Sequence, residues 1–196
     1  MNPKLADVAL DQIFRNARSQ NGFLNEPVSD DTLRALHDLM KWGPTAVNAC
    51  PLRIVFIRSE AAKEKLKPAL MPTNVSKVMS APVTALLGRD LAFYEHLPRL
   101  FPHADAKSWF VGNTEMIDES SRLNAALQAG YLILAARSLG LDCGPMTGFT
   151  PAAADAAFFA GTQVKSFMLV TLGKGDPSKI FPRSPRFEFD DVCRVV

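Results

Sequence analysis

Several polar clusters in this 196-residue chain carry residue types suited to binding chemistry, and most of them fall where an apolar element ends. Arg18-Ser19-Gln20-Asn21 follows the first helical pattern, and a guanidinium fork beside a hydroxyl suits an oxyanion such as phosphate. Pro44-Thr45-Ala46-Val47-Asn48 precedes the first strand pattern, and Asn74 with Lys77 stands just before the second. Gly144-Pro145-Met146-Thr147-Gly148 follows the most apolar helix, while Arg183 and Arg186 lie near the C-terminus. Taken singly, each reads as an ordinary solvated turn. Together they describe a site assembled from strand ends and loops.

Conventional catalytic patterns are missing from the sequence. His37, His96 and His103 show neither i, i+4 spacing nor HExxH, and no GxSxG elbow, Walker loop or GxGxxG follows a strand. Cys50 and Cys143 have no base or cation beside them and read as small buried side chains rather than nucleophiles. With Cys193 they make an odd, widely spaced set without a CxxC pair, which excludes a disulfide framework and a zinc ribbon.

The elements that must position these clusters are readable from periodicity. Leu10, Ile13, Phe14 and Ala17 stand at i, i+3, i+4 and i+7, which predicts a helix over 5–17 that RSQNG ends. Ser29 followed by Asp30 and Asp31 starts a second helix, and Gly43-Pro44 stops it. Residues 52–58, 82–87 and 167–172 read as strands, apolar on both faces as in a sheet covered on both sides. The segment 119–139, with Leu123, Leu127, Tyr131 and Leu134, predicts a helix apolar nearly all round, packed on the sheet on one side and on another helix or a second subunit on the other. Thr150-Pro151 caps a last helix that Gly161 ends, and 89–113 reads as irregular.

Composition agrees with a single α+β domain spanning 1–196. Its 47% hydrophobic content and size allow roughly 70% of the unfolded surface to be buried, so no staple is needed. The 22 Lys+Arg against 20 Asp+Glu, spread along the chain, argue against a nucleic-acid partner. The N-terminal stretch mixes charge into every turn, and no run approaches the ~20 apolar residues of a membrane span, so the reading is cytoplasmic with no membrane partner.

In ARSQNGF (17–23), residues 27–58, NVSKVMSAPVTA (74–85) and LQAGYLILAARSLGLDCGPMTGF (127–149), the chain resembles the FMN-dependent nitroreductase family. LPRLFPHADAKSWF (97–110) and DAAFFAG (155–161) resemble more narrowly its RutE-like, malonic semialdehyde reductase branch. The resemblance implies an α+β fold with a central, mostly antiparallel sheet flanked by helices, in an intertwined homodimer with flavin sites at the interface. It places Arg18, Ser19 and Asn21 at the flavin phosphate and ribityl chain, and Asn48 beside the ring across the subunit contact. Asn74 and Lys77 fall at the pyrimidine edge, Thr147 and Gly148 at the N5 side, and Arg183 and Arg186 at the phosphate. Ala17, Asn21 and Cys50 stand where the family pattern has two basic residues and a glutamine, and the resemblance leaves Arg183 or Arg186 to restore the charge.

The implied activity is hydride transfer through flavin N5, from NADH or NADPH to a small-molecule substrate, with no catalytic side chain and no metal. The acceptor implied first is malonic semialdehyde, giving 3-hydroxypropanoate, with Arg99, His103, Lys107 or Arg122 holding its carboxylate. The alternatives are a broad nitro, quinone or enone reductase, and a flavin-binding protein without turnover.

Overall fold

The computed structural model describes residues 3–196; Met1 and Asn2 of the N-terminal stretch lie outside the described residues. The chain runs α1 (Asp7–Leu10), a π-type turn (Asp11–Arg15), α2 (Asp30–Met40), β1 (Leu52–Ile57), α3 (Glu60–Leu66), α4 (Pro72–Ser80) and β2 (Val83–Asp90). It continues through α5 (Leu97–Leu100), α6 (Thr114–Ser138), β3 (Asp142–Met146), α7 (Pro151–Phe158), β4 (Val164–Gly173) and α8 (Phe189–Val192). The strands form one sheet in the order β1-β2-β4-β3, every neighbour antiparallel. This is the expected α+β architecture. Among the described residues no helix is long and apolar enough to cross a membrane.

Alternation along β2 shows why its sequence has no polar face. Val83, Ala85 and Leu87 join α2 and α6 in one core, through Leu36, Met40, Ala129 and Leu132. Leu86 points to the other face and joins Leu66, Val78, Ala154 and Leu169. A strand with period-2 side chains and a core on each side must be apolar throughout. Ser29 caps α2 as expected, its Oγ accepting from Thr32 N at 3.1 Å. Thr150 does not cap α7 with its side chain; Pro151 at the first turn sets the start instead.

Three segments depart from the sequence reading. β3 overlaps the stretch 144–148 read as a turn: Pro145, which has no N–H to donate, is accommodated because β3 closes the named strand order and its outer edge carries only the isolated Ser19–Cys143 bridge. α3, which is charged, and α4, whose one charge is Lys77, are short helices outside the elements that periodicity marks. The segment 89–113 is not loose: it carries its own small core of Phe93, Leu97, Ala106 and Phe110, with Phe93 edge-on to Phe110 at 4.9 Å.

α6 inverts the usual arrangement. Its buried face includes Ser121, Asn124 and Gln128, whereas Leu123, Leu127 and Tyr131 are 60%, 46% and 39% exposed. The buried amides are satisfied: Asn124 Oδ1 accepts from Ala46 N at 2.7 Å and Gln128 Oε1 from Leu52 N at 2.9 Å. α6 therefore fixes the 44–50 loop and the start of β1 while leaving an apolar stripe open.

Candidate functional site

The N-terminal segment reaches the sheet beside β3. Ser19 pairs with Cys143 in parallel, and Gln20 N donates to Cys143 O at 2.9 Å. This contact presents Arg18, Ser19 and Asn21 to the C-terminal segment, where Arg183 and Arg186 stand. The five residues line one cavity of about 450 Å³, with Phe14, Ala17, Phe181, Pro182 and Ser184. Arg137, from the last turn of α6, lines it too and was not among the residues expected there. A charge in a helical pattern reads as a solvated face, so nothing in the sequence singled it out.

The cavity is lined by four arginines and no carboxylate. Each guanidinium bonds only backbone carbonyls. Arg18 Nη2 donates to Phe181 O; Arg183 Nη2 donates to Arg15 O at 2.8 Å and to Ala17 O at 3.0 Å. Arg186 Nη1 reaches Pro185 O at 2.9 Å, and Arg137 Nη1 reaches Ile13 O at 3.0 Å. Asn21 Nδ2 donates to Lys179 O at 3.3 Å. Among the described residues none of the four arginines has an acidic partner, although five other arginines of the chain do. Like charges gathered without counterions repel, and an anionic ligand relieves that repulsion.

The second cluster lies past the other end of β3. Asn74 on α4 is buried and donates from Nδ2 to Gly148 O at 2.9 Å. Gly148 must be glycine for this approach, since a Cβ there would lie 2.4 Å from Asn74 Nδ2. Met71 N also donates to Gly148 O, tying the start of α4 to the turn. Lys77 is three residues along the same helix, half-buried and without an ion-pair partner among the described residues. Thr147 is exposed beside Gly148. Between Cys143, next to Ser19, and Gly148, β3 and its turn extend for about 16 Å at ~3.3 Å per residue. The two clusters thus stand at opposite ends of β3.

Asn48 joins neither. Its Nδ2 donates to Leu100 O at 2.8 Å, so it is held by the 97–101 segment. The loop is strained: Val47, Asn48 and Cys50 have φ of 47°, 51° and 42°. Asparagine tolerates this region, but a β-branched valine there is an outlier of the kind that clusters at ligand sites. The larger groove of about 690 Å³, between α2 and β1, contains none of the expected site residues and mixes Asp30 and Asp38 with Arg34, His37, Lys41 and Arg53.

The cations considered for a substrate carboxylate are mostly engaged. Arg122 pairs with Asp118 at 2.9 Å and Lys107 with Glu95, while His103 sits edge-on to Phe101. Asp118 also accepts from Arg89 at 2.6 Å, and that bond, with the one from Arg122, holds its carboxyl below the usual range.

Cys143 is buried in β3, and burial pushes its thiol up to about 12. The neutral thiol is favoured in the fold, so its contribution to stability is complete below the ordinary thiol range near ~8.5 and is lost as pH rises towards that raised value. Iodoacetamide at mildly alkaline pH is expected to leave Cys143 unmodified in the native protein and to alkylate it after unfolding, as read by peptide mass mapping. Rapid native alkylation would contradict this burial.

Comparison with known proteins places the chain. The sequence profile of the Nitroreductase family matches residues 14–174. A Burkholderia lata protein provisionally named NADH dehydrogenase/NAD(P)H nitroreductase is 58% identical over 191 residues, covering 97% of this chain and 98% of its own length. A Stenotrophomonas maltophilia protein with the same provisional name is 57% identical over 195 residues, covering 100% of both chains. Among solved structures, a provisionally named nitroreductase in complex with FMN from Exiguobacterium sibiricum superposes with a TM-score of 0.85 at 20% identity, covering 100% of both chains. An enone reductase of a gut-bacterial fatty-acid saturation pathway superposes at 0.84 with 17% identity, over 95% of this chain and 97% of its own.

Proposed function

Because the chain belongs to the nitroreductase family, we propose that it is an FMN-dependent NAD(P)H oxidoreductase that works as a homodimer. The observation that carries this reading is the cavity of four arginines without an acid, set at one end of β3 with Asn74, Lys77 and Gly148 at the other. The donor set fits a phosphorylated flavin: a dianionic tail at the arginines, a planar polar head near an amide, an ammonium and backbone groups. When bound, FMN would supply the redox chemistry of hydride transfer between NADH or NADPH and the acceptor.

In this assignment Arg18, Ser19, Asn21, Arg183 and Arg186 hold the phosphate and ribityl chain. Asn74 and Lys77 address the pyrimidine edge, where the Lys77 ammonium offsets negative charge that develops on reduction. Thr147 and Gly148 present backbone groups to the N5 side. No histidine or cysteine is required. Lys77→Ala is expected to slow flavin reduction by roughly 10- to 100-fold, the range of one charge-assisted hydrogen bond, while shifting Tm little. Stopped-flow reduction and thermal melts check this; equal losses in both make Lys77 structural.

Three open surfaces support the dimer: the Leu123, Leu127 and Tyr131 stripe on α6, the groove beside β1, and an exposed C-terminal segment bearing Phe181, Phe187 and Phe189. A second copy would cover these and bring the loop bearing Asn48 to the flavin ring, which the single chain does not do.

For the acceptor, segments 97–110 and 155–161 favour malonic semialdehyde, whereas the engagement of Arg122 and Lys107 in ion pairs favours a broader nitro, quinone or enone range. Anaerobic reduction with NADH or NADPH, followed by reoxidation with each acceptor, tests the function. A much higher kcat/KM for malonic semialdehyde than for a nitroaromatic supports the aldehyde reading, and near-equal values support the broad one. A bound flavin that NAD(P)H does not bleach would mean sequestration without turnover.

A further inference from the structure

We propose that Arg137 is a phosphate-binding residue of this site, a fourth guanidinium that α6 contributes to the anion cavity; the proposal rests on the flavin reading above. Its place at the end of α6 is compatible with a simpler role, because cations suit helix C-termini. The hydrogen bonds do not fit that role. The carbonyls of Ala135, Ala136 and Arg137 accept from backbone N–H groups of Leu139, Gly140 and Leu141, that of Ser138 accepts from Gln12 Nε2, and the Arg137 side chain bonds none of them.

The guanidinium instead reaches across to Ile13 O through Nη1. Its Nε is shielded from solvent and has no acceptor, a condition that only three side-chain atoms share among the described residues. An unsatisfied charged donor is costly; Nε itself is out of a ligand's reach, but Nη2 of the same guanidinium also has no partner among the described residues, and an anion in the cavity that Arg137 lines offsets the cost. Arg183 holds the same stretch of backbone, through Arg15 O and Ala17 O. Ala17, which lines the cavity between them, has a side chain too short to fill it. Arg137 and Arg183 therefore flank the cavity from α6 and from the C-terminal segment, and an oxyanion between them gives the Arg137 Nη2 the acceptor it lacks.

The test measures the Kd of the flavin-stripped protein for FMN and for riboflavin, which lacks the phosphate, by quenching of flavin fluorescence. Wild type, Arg137→Met and Arg137→Lys are compared, with Tm recorded for each. Arg137→Met is expected to weaken FMN on the order of 10- to 100-fold and to leave riboflavin unchanged. Arg137→Lys, which keeps the charge but not the fork, is expected to lose less, again for FMN only. If Arg137→Met does not fold, the FMN-specific loss in Arg137→Lys decides.

Unchanged FMN affinity overturns the proposal. So does a parallel loss for FMN and riboflavin together with a lowered Tm, which would make Arg137 structural. A wild type that binds neither flavin defeats the flavin reading itself, a separate result.

Discussion

Replacing Arg18 and Arg183 together by methionine is expected to leave the protein colourless, with FMN affinity lowered by roughly 10²- to 10⁴-fold. Each arginine contributes to the phosphate about one charge-assisted hydrogen bond, worth on the order of 1.5–3 kcal/mol, and every 1.4 kcal/mol is tenfold in Kd. Each also ties the two walls together. Arg18 reaches the C-terminal segment at Phe181 O, and Arg183 reaches the N-terminal segment at Arg15 O and Ala17 O. The double variant loses both the charge and the clasp, so the cavity opens as well as weakens. Methionine keeps much of the apolar stem and limits the packing loss. Flavin content after purification and the Kd for FMN measure the effect; a double variant that stays as yellow as wild type would remove the phosphate from this cavity.

Gly144→Val is expected to cost the fold more than any change to the cavity itself. A Cβ at this position of β3 would lie 2.6 Å from Gln20 O and 2.3 Å from Thr171 Oγ1. The first neighbour is backbone, which cannot rotate away. The second is a buried hydroxyl that donates to Gly144 O at 3.1 Å and cannot leave without breaking that bond. Overpacking of this kind costs about 1–3 kcal/mol, and the displaced hydroxyl adds a comparable penalty. Because the Gln20 N to Cys143 O bond anchors the segment bearing Arg18, Ser19 and Asn21, the strain also dislodges the cavity wall. Thermal melts should show a Tm drop of several degrees or more alongside weakened FMN binding. A variant with native Tm would show that the N-terminal segment is not pressed against β3.

What could be read in advance follows from physical range. α2, β1, β2 and β4 announced themselves because a cap or a period-2 burial acts over a few residues. Arg18 and Arg183 stood out as basic groups at element ends, though 165 positions separate them. β3 stayed hidden because Gly144 and Pro145 are turn formers in isolation, and only the pairing with β4 makes them extended. The polar face of α6 was unreadable for a similar reason: Asn124 and Gln128 are buried to satisfy Ala46 N and Leu52 N, 78 and 76 residues away. Arg137 is illegible in the sequence on the same ground, since its surroundings come from segments at the two chain ends. The core of 89–113 is built from Phe93 and Phe110, which no helical or strand period connects.

Every role proposed above depends on a phosphorylated flavin occupying the arginine cavity. The most direct measurement is a titration of the flavin-stripped protein with FMN and riboflavin in parallel, followed by visible absorbance and flavin fluorescence at two salt concentrations. Saturable FMN binding is expected, much tighter than riboflavin binding and weakening as salt rises, as a phosphate held by several arginines requires. A protein that stays colourless with FMN, or binds the two flavins equally and without salt dependence, would contradict it.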